Sequence, residues 1–390
     1  MGKGDENDDG LGCKKYGVPL YGAAWVPPAA AVREGSAAES ESSVSHNLSR
    51  YVVLAGGGGE GHSGIQNAVL LSAFDFESNS LSDEPAAKLG TGSDLPYRTT
   101  VHPGGEGLMC SFLKSCRWFE WDSTTSTEEH TLSLKSSEIS LEKLEDVGQQ
   151  LAMTFNNEGS LLAVGGEKQD GKLRVFKWPS MESTLDETNV HASVKDLDFS
   201  PDGKFLVSVG SGPARIWNVA TSTSAASLPK QNDEIFGYAK FSRASDTDQV
   251  LYITANRDKG GSISKWNTTS WKRIRSTHVS RDPVSAFNVS PDGKLLAIGT
   301  IQGDILILSC ASMRVQTVVR KAHLGLVTAL AFSLDSRALV SASLDSSARV
   351  TLIKDNKKKD GMSLSTILFV ILLAIAIYYA RSKDYLPLKL

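Results

Sequence analysis

Cysteine is scarce. Only Cys13, Cys110, Cys116 and Cys310 occur in 390 residues, and no two of them have CxxC spacing. That pattern argues against a zinc finger or ribbon and against a small disulfide scaffold, and it fits a reducing compartment. An excess of positive charge is missing too. Lys and Arg number 41 against 44 Asp and Glu, a formal charge of −3, so composition offers no basic face for nucleic acid. The first residues, Met1 to Lys15, lack the apolar core of a signal peptide; they are glycine-rich and acidic and are expected to be disordered. Glu6 stands where myristoylation of Gly2 would need Ser or Thr.

What the chain has is repetition. Segments beginning at Val101, Leu151, Val194, Tyr238, Val284 and Val327 share one order: a β-prone strand, an acidic or glycine turn, then two more strands. Ser200-Pro201-Asp202-Gly203 and Ser290-Pro291-Asp292-Gly293 are the clearest turns. Periods of about 40 residues with several short strands mark propeller blades. With a first block from Tyr16 to Leu89 the count is seven, and the expected fold is all-β, a seven-bladed WD-repeat-like β-propeller over 16–353. Closing the ring removes the edges an open sheet would expose.

Trp121-Asp122, Trp217-Asn218 and Trp266-Asn267 stand at the expected Trp-Asp positions, and His191 and His323 precede their blades with Ser208 and Ser341 as hydroxyl partners. The networks are incomplete: blade 4 has no turn aspartate, and the last blade has Asp345 but Val350 in place of tryptophan. These groups read as hydrogen-bonding parts of the blades, not as a ligand or catalytic site.

One stretch departs from the repeat. In YVVLAGGGGEGHSGIQNAVLLSAFD, from Tyr51 to Asp75, two apolar strands are joined by a glycine-rich excursion far longer than an ordinary hairpin turn. Gly56, Gly58 and Gly61 match GxGxxG, but a strand follows where a dinucleotide site needs a helix, and no Lys-Ser or Lys-Thr completes a phosphate loop. Nucleotide binding by this chain is therefore set aside. Two readings remain open: a loose surface loop, or a protein-contact loop presenting Ile65 between glycines and Asn67. Glu60 and His62 have no evident nucleophile or metal-ligand partner and read as solvated, so no enzyme activity is expected. Upstream, the Ser/Ala/Glu-rich residues 29–50 read as a mobile insert.

Beyond Ile353 a basic linker, 354–361, leads to MSLSTILFVILLAIAIYYA at 362–380, which carries no charge. A bilayer core needs about 20 such residues, so a single C-terminal transmembrane helix is expected, followed by a short lumenal tail, 381–390. Lys354, Lys357, Lys358 and Lys359 before the span and Arg381, Lys383 and Lys389 after it favour a cytosolic propeller only slightly. The reduced-looking cysteines point the same way.

In YGVPLYGAAW followed by LAGGGGEGHSGIQN, and more weakly in KAHLGLVTALAFSLDS, the chain resembles the Sec-twelve proteins. These are endoplasmic-reticulum membrane exchange factors for the Sar-type small GTPase that starts COPII coat assembly. A plant branch that assists phosphate transporters out of the endoplasmic reticulum is similar as well. The resemblance implies guanine-nucleotide exchange on a Sar-type GTPase or, alternatively, cargo-specific traffic without exchange, with COPII components or cargo transporters as further partners. It implies a GTPase-contact loop of Gly56, Gly57, Gly58, Gly59, Gly64, Ile65 and Asn67, with Ile65 as an apolar wedge, and a potassium ion held by backbone carbonyls of 56–67. Members of the family often have proline before the asparagine; this chain has Gln66, which leaves the loop less stiff.

Overall fold

Along Tyr51–Gly56, Val52 and Leu54 alternate with Val53 and Ala55, and all four are fully buried. Val52 and Leu54 pack into one core with Ala338 and Val340; Val53 and Ala55 pack into another with Leu108 and Cys110. A strand covered on both faces is apolar throughout, and each buried valine or leucine contributes roughly 1.5–3 kcal/mol. The same division recurs in Asn67–Asp75, where Ala68 and Leu70 face one neighbour and Val69 and Leu71 the other. The long glycine loop is thus mounted on two strands wedged between adjoining sheets.

The computed structural model describes residues 12–31, 51–61, 64–113, 115–125, 130–137, 139, 141–145, 149–167, 171–231, 233–243, 249–353, 369, 371–376 and 378–379. Its first unit is a ring of seven antiparallel sheets. Blade 1 consists of Leu20–Trp25, Tyr51–Gly56, Asn67–Asp75 and Ala87–Gly92, with Ser80–Leu81 also pairing with the third strand. Blades 2 to 6 open with the inner strands Arg98–Val101, Gln149–Phe155, Val194–Phe199, Ile235–Phe241 and Val284–Val289. Blade 7 takes Val327–Phe332, Ala338–Ser343 and Ser347–Leu352 from the end of the repeats and its outer strand, Cys13–Lys15, from the beginning of the chain.

That closing strand corrects the expectation of disorder through Lys15: Cys13 pairs with Arg349, Lys14 with Ala348 and Lys15 with Ser347. Blade 1 does not begin at Tyr16, where the sequence places the first block of the repeat. Residues 16–19 cross from blade 7 to blade 1, and the new strand starts only at Leu20, after Pro19. The expected insert, 29–50, is described only at its start, where Pro28–Ala31 forms a short 3-10 helix.

The repeated turns fold for a local reason. Ser200 donates to Asp202 at 2.6 Å and accepts from the Phe205 amide at 2.9 Å, while Gly203 supplies the left-handed residue at φ +69°. Ser290, Asp292 and Gly293 repeat the arrangement in blade 6, and Ser333 and Asp335 do so in blade 7.

In blade 4, His191 Nδ1 donates to the Ser211 carbonyl at 3.0 Å, in the turn where the aspartate is absent. Its Nε2 lies 3.1 Å from Ser208 Oγ, which also accepts from Trp217 Nε1 at 3.0 Å. In blade 7, His323 lies 2.6 Å from Ser347 Oγ and 2.7 Å from Ser341 Oγ, and Ser347 in turn donates to Asp345. Burial pushes the His323 pKa down to about 4 against the pull of Asp345, so the ring is neutral near pH 7.

Two tryptophan assignments need correction. Register pairs Leu206 with Trp217 in blade 4 and Leu251 with Trp266 in blade 5, but in blade 2 Leu108 pairs with Phe119, so Trp121 stands two residues too late. In blade 7 the equivalent of Trp217 is Thr351, because Arg349 faces Ser341 as Arg215 faces Ser208. Val350 corresponds to Ile216.

The second unit runs from Ile353. Within it, residues 369, 371–376 and 378–379 are helical, and Phe369, Ile371, Leu372, Leu373 and Ile375 are exposed. The linker at 354–361, most of the expected span at 362–380 and the tail at 381–390 lie outside the described residues. Among the described residues no helix is long and apolar enough to cross a membrane.

Candidate functional site

Gly56 ends its strand opposite Leu20, where the chain enters blade 1. In each antiparallel blade the link after the second strand and the link to the next blade leave at the same end, so the loop shares a face with the His191 and His323 connections. Its base admits no side chain. A Cβ on Gly56 would lie 2.0 Å from the Pro19 carbonyl oxygen, and one on Gly57 would lie 2.1 Å from Asn67 Oδ1. The Gly57 amide donates to Pro19 at 3.0 Å, tying the loop to the crossing from blade 7.

Asn67 fastens the loop from within. Its Oδ1 accepts from the Gly59 amide at 2.9 Å, while its Nδ2 donates to the Gly59 and Gly92 carbonyls, both at 3.1 Å. Both ends of the primary amide are used, and the side chain is only 3% exposed. Losing it would strand buried polar groups at about 1–3 kcal/mol each. Asparagine suits this position because one side chain satisfies a backbone donor and its carbonyl together.

The residues implied as a single contact set therefore separate by depth. Gly56, Gly57 and Asn67 form the buried base, Gly58 and Gly59 are half-buried, and Gly64 and Ile65 are exposed. Ile65 is 38% exposed in a segment that turns through left-handed geometry at Gly64. Glu60 is exposed, as expected; His62 lies outside the described residues. Among the described residues no group of three or more His, Cys, Asp or Glu side chains could hold a metal. The loop thus supplies shape: a small apolar projection on a fixed pedestal.

The WD40 family, described as WD domain, G-beta repeat, matches residues 183–218 and 314–351. These segments carry the two histidine networks. Over 355 residues the chain is 48% identical to SEC12-like protein 2 of Arabidopsis thaliana, covering 89% of each chain. The chain belongs to the Sec-twelve family of WD-repeat proteins. It is 30% identical to SEC12-like protein 1 of Arabidopsis thaliana, over 84% of this chain and 82% of that one. It is 24% identical to the mouse protein named guanine nucleotide-exchange factor SEC12, over 72% of this chain and 78% of that one.

Within this family member, blade 5 builds a substitute for the histidine network that the sequence did not announce. Glu234, just before its first strand, accepts from Arg273 at 2.8 Å on each carboxylate oxygen, from the Gln231 amide at 2.9 Å and from Arg257. The Arg273 guanidinium also lies 4.8 Å from the Trp266 ring centre. The residues are distant in sequence, so only the fold brings them together. An acidic residue in the link before a blade, where blades 4 and 7 have a histidine, was the available signal.

Proposed function

We propose that this protein is a guanine-nucleotide exchange factor for a Sar-type small GTPase at the endoplasmic-reticulum membrane, acting at the start of COPII budding. The observation that carries the reading is Ile65: an apolar tip exposed on a loop whose base is buried and hydrogen-bonded in a closed ring. Exchange needs no covalent chemistry. A protein that binds the nucleotide-free GTPase better than the loaded form weakens nucleotide binding by the same factor, and about 1.4 kcal/mol of preference is tenfold. The mouse relative's name as an exchange factor supports the reading. Release of fluorescent GDP, followed by stopped flow, tests it directly. A chain that accelerates release from no Sar-type GTPase is not an exchange factor.

A potassium ion would sit among the backbone carbonyls of 56–67. The donor chemistry fits: hard cations take oxygen ligands, and a glycine-rich loop can turn its carbonyls inward. One of them, Gly59, already accepts from Asn67. Replacing potassium by tetramethylammonium is expected to slow GDP release and to raise amide hydrogen exchange within the loop. Equal rates and equal protection in both salts would remove the ion from the account.

A second reading is favoured by the greater likeness to a protein named SEC12-like, at 48%, than to one named as an exchange factor, at 24%. In it the protein assists exit of particular cargo, such as plasma-membrane phosphate transporters, without driving exchange. Its loss would hold one transporter class in the endoplasmic reticulum while general secretion continues.

Both readings place the propeller in the cytosol on the 362–380 anchor. Of the sequons at Asn47, Asn267 and Asn288, the last two are engaged in folded structure: Asn267 Oδ1 accepts in its own turn, and Asn288 Nδ2 donates to Leu330. Asn47 is the informative acceptor. Translation with microsomes is expected to give a product insensitive to glycosidase, and one with a sequon on an extension after Ala380 is expected to shift. Glycosylation of Asn47 would put the loop in the lumen and remove both readings.

A further inference from the structure

We propose that Leu324 is a second docking residue for the same small GTPase, one blade away from Ile65. The proposal rests on the exchange-factor reading above and extends its contact surface to blade 7.

Leu324 is 80% exposed, more than any other large apolar residue described in the propeller. It is also held. Its amide donates to Asp345 at 2.6 Å, and the preceding His323 is buried with both ring nitrogens bonded to serines. The His323 amide is fixed in turn by the Gly303 carbonyl at 3.1 Å. The backbone that carries Leu324 is thus fixed on both sides of the His323–Leu324 peptide. The leucine side chain lies outside the cores of the ring and is open to a partner.

Position identifies the occupant. Leu324 lies in the link leading into Val327–Phe332, and the glycine loop leaves blade 1 beside Leu20 at the start of its inner strand. Thr328 Oγ1 donates to the Leu20 carbonyl at 2.8 Å, so these two strand starts are adjacent. Leu324 and Ile65 consequently rise from the same end of neighbouring blades. Ile301, 43% exposed in the link after the second strand of blade 6, stands at the same end of the next blade. Exposed Lys321 puts a cation near Leu324, while the exposed Arg320 is paired with Asp304 at 2.9 Å. A GTPase held by Ile65 would meet Leu324 next.

Leu334 provides the control. It is 60% exposed, but it lies after Val327–Phe332 rather than before it, on the opposite face of the same blade. GDP release would be measured with the full-length protein in detergent micelles over a range of Sar-type GTPase concentrations. Leu324→Asp is expected to raise the half-saturating concentration about tenfold with little change in maximal rate, the sign of lost docking contact. Leu324→Ala should move the same way by less, and Leu334→Asp should match wild type. Wild-type saturation by Leu324→Asp overturns the proposal, as does equal loss in Leu334→Asp or a drop in maximal rate alone. Sedimentation showing that Leu324→Asp converts a dimer to a monomer would assign the face to a second copy of this chain and overturn it as well. If the wild type releases no GDP, the exchange reading itself fails and this contact falls with it.

Discussion

Ile65→Asp is expected to slow GDP release about a hundredfold while leaving the melting temperature within about a degree of wild type. The fold should not register the change, since Ile65 lies at the exposed tip and the cores on either side of its strands do not include it. The complex should register it, because a charge would be buried where an apolar surface was accommodated. Ile65→Ala, which removes contact area without adding charge, should cost about tenfold by the same logic. Stopped-flow release with fluorescent GDP reads the rate, and thermal unfolding monitors the propeller. Normal release by both variants would show that the loop tip is not the wedge.

The largest effect on stability is expected at Glu234. Its carboxylate is fully buried between Arg257 and Arg273. Burial alone would raise its pKa, but the Arg273 and Arg257 hydrogen bonds and the Gln231 amide outweigh that and bring it down to about 2. Glu234→Gln keeps the shape and removes the carboxylate shared by both guanidinium groups, although Arg257 retains the exposed Asp233, 4.0 Å from its Nε. Breaking such a pair costs roughly 3–5 kcal/mol, which corresponds to a melting temperature lower by about 5–10 °C.

The pH dependence has a definite sign. A folded pKa below the unfolded value means the stabilisation is complete above about 4.3, the ordinary glutamate value, and is lost as pH falls toward about 2. Wild type should therefore lose stability across that acid window more steeply than Glu234→Gln. Equal melting temperatures at pH 7, or parallel acid limbs, would leave the network without the role assigned to it.

The seven-fold repetition was legible because each blade carries its own short-range signals. Ser200-Pro201-Asp202-Gly203 closes its turn with its own side chains, so the residues that specify it are adjacent in sequence. The closing strand carries no such signal. Cys13–Lys15 is short and lies at an outer edge, and neither Cys13 nor Lys14 is fully buried, so apolar alternation was never required of it. Blade 7 misled by one position. The shared Ala-Arg-aliphatic run in Ala214-Arg215-Ile216 and Ala348-Arg349-Val350 places Thr351, not Val350, against Trp217.

In the site, the glycine run and Ile65 were legible as a loop and its tip. The burial of Asn67 was not, because an asparagine next to an exposed isoleucine reads the same whether it faces a partner or its own backbone. Three hydrogen bonds decide for the backbone. Glu234 was missed for the opposite reason: its partners, Arg257 and Arg273, belong to the second and fourth strands of the blade that follows it.

The outer strand of blade 7 also sets an order of events during synthesis. Cys13–Lys15 is made before every other described strand of the ring, yet its pairing partner, Ser347–Leu352, is made after all of them. Until then the growing chain carries a free strand at one end and, once Ser347–Leu352 appears, an unpaired edge at the other. An edge of that kind accepts any strand of the right register, including Cys13–Lys15 of a neighbouring nascent chain. Self-closure is a first-order process and exchange between chains is second-order. Any joining of chains through this strand would therefore rise with the local density of nascent chains, whereas closure of the ring on itself would not.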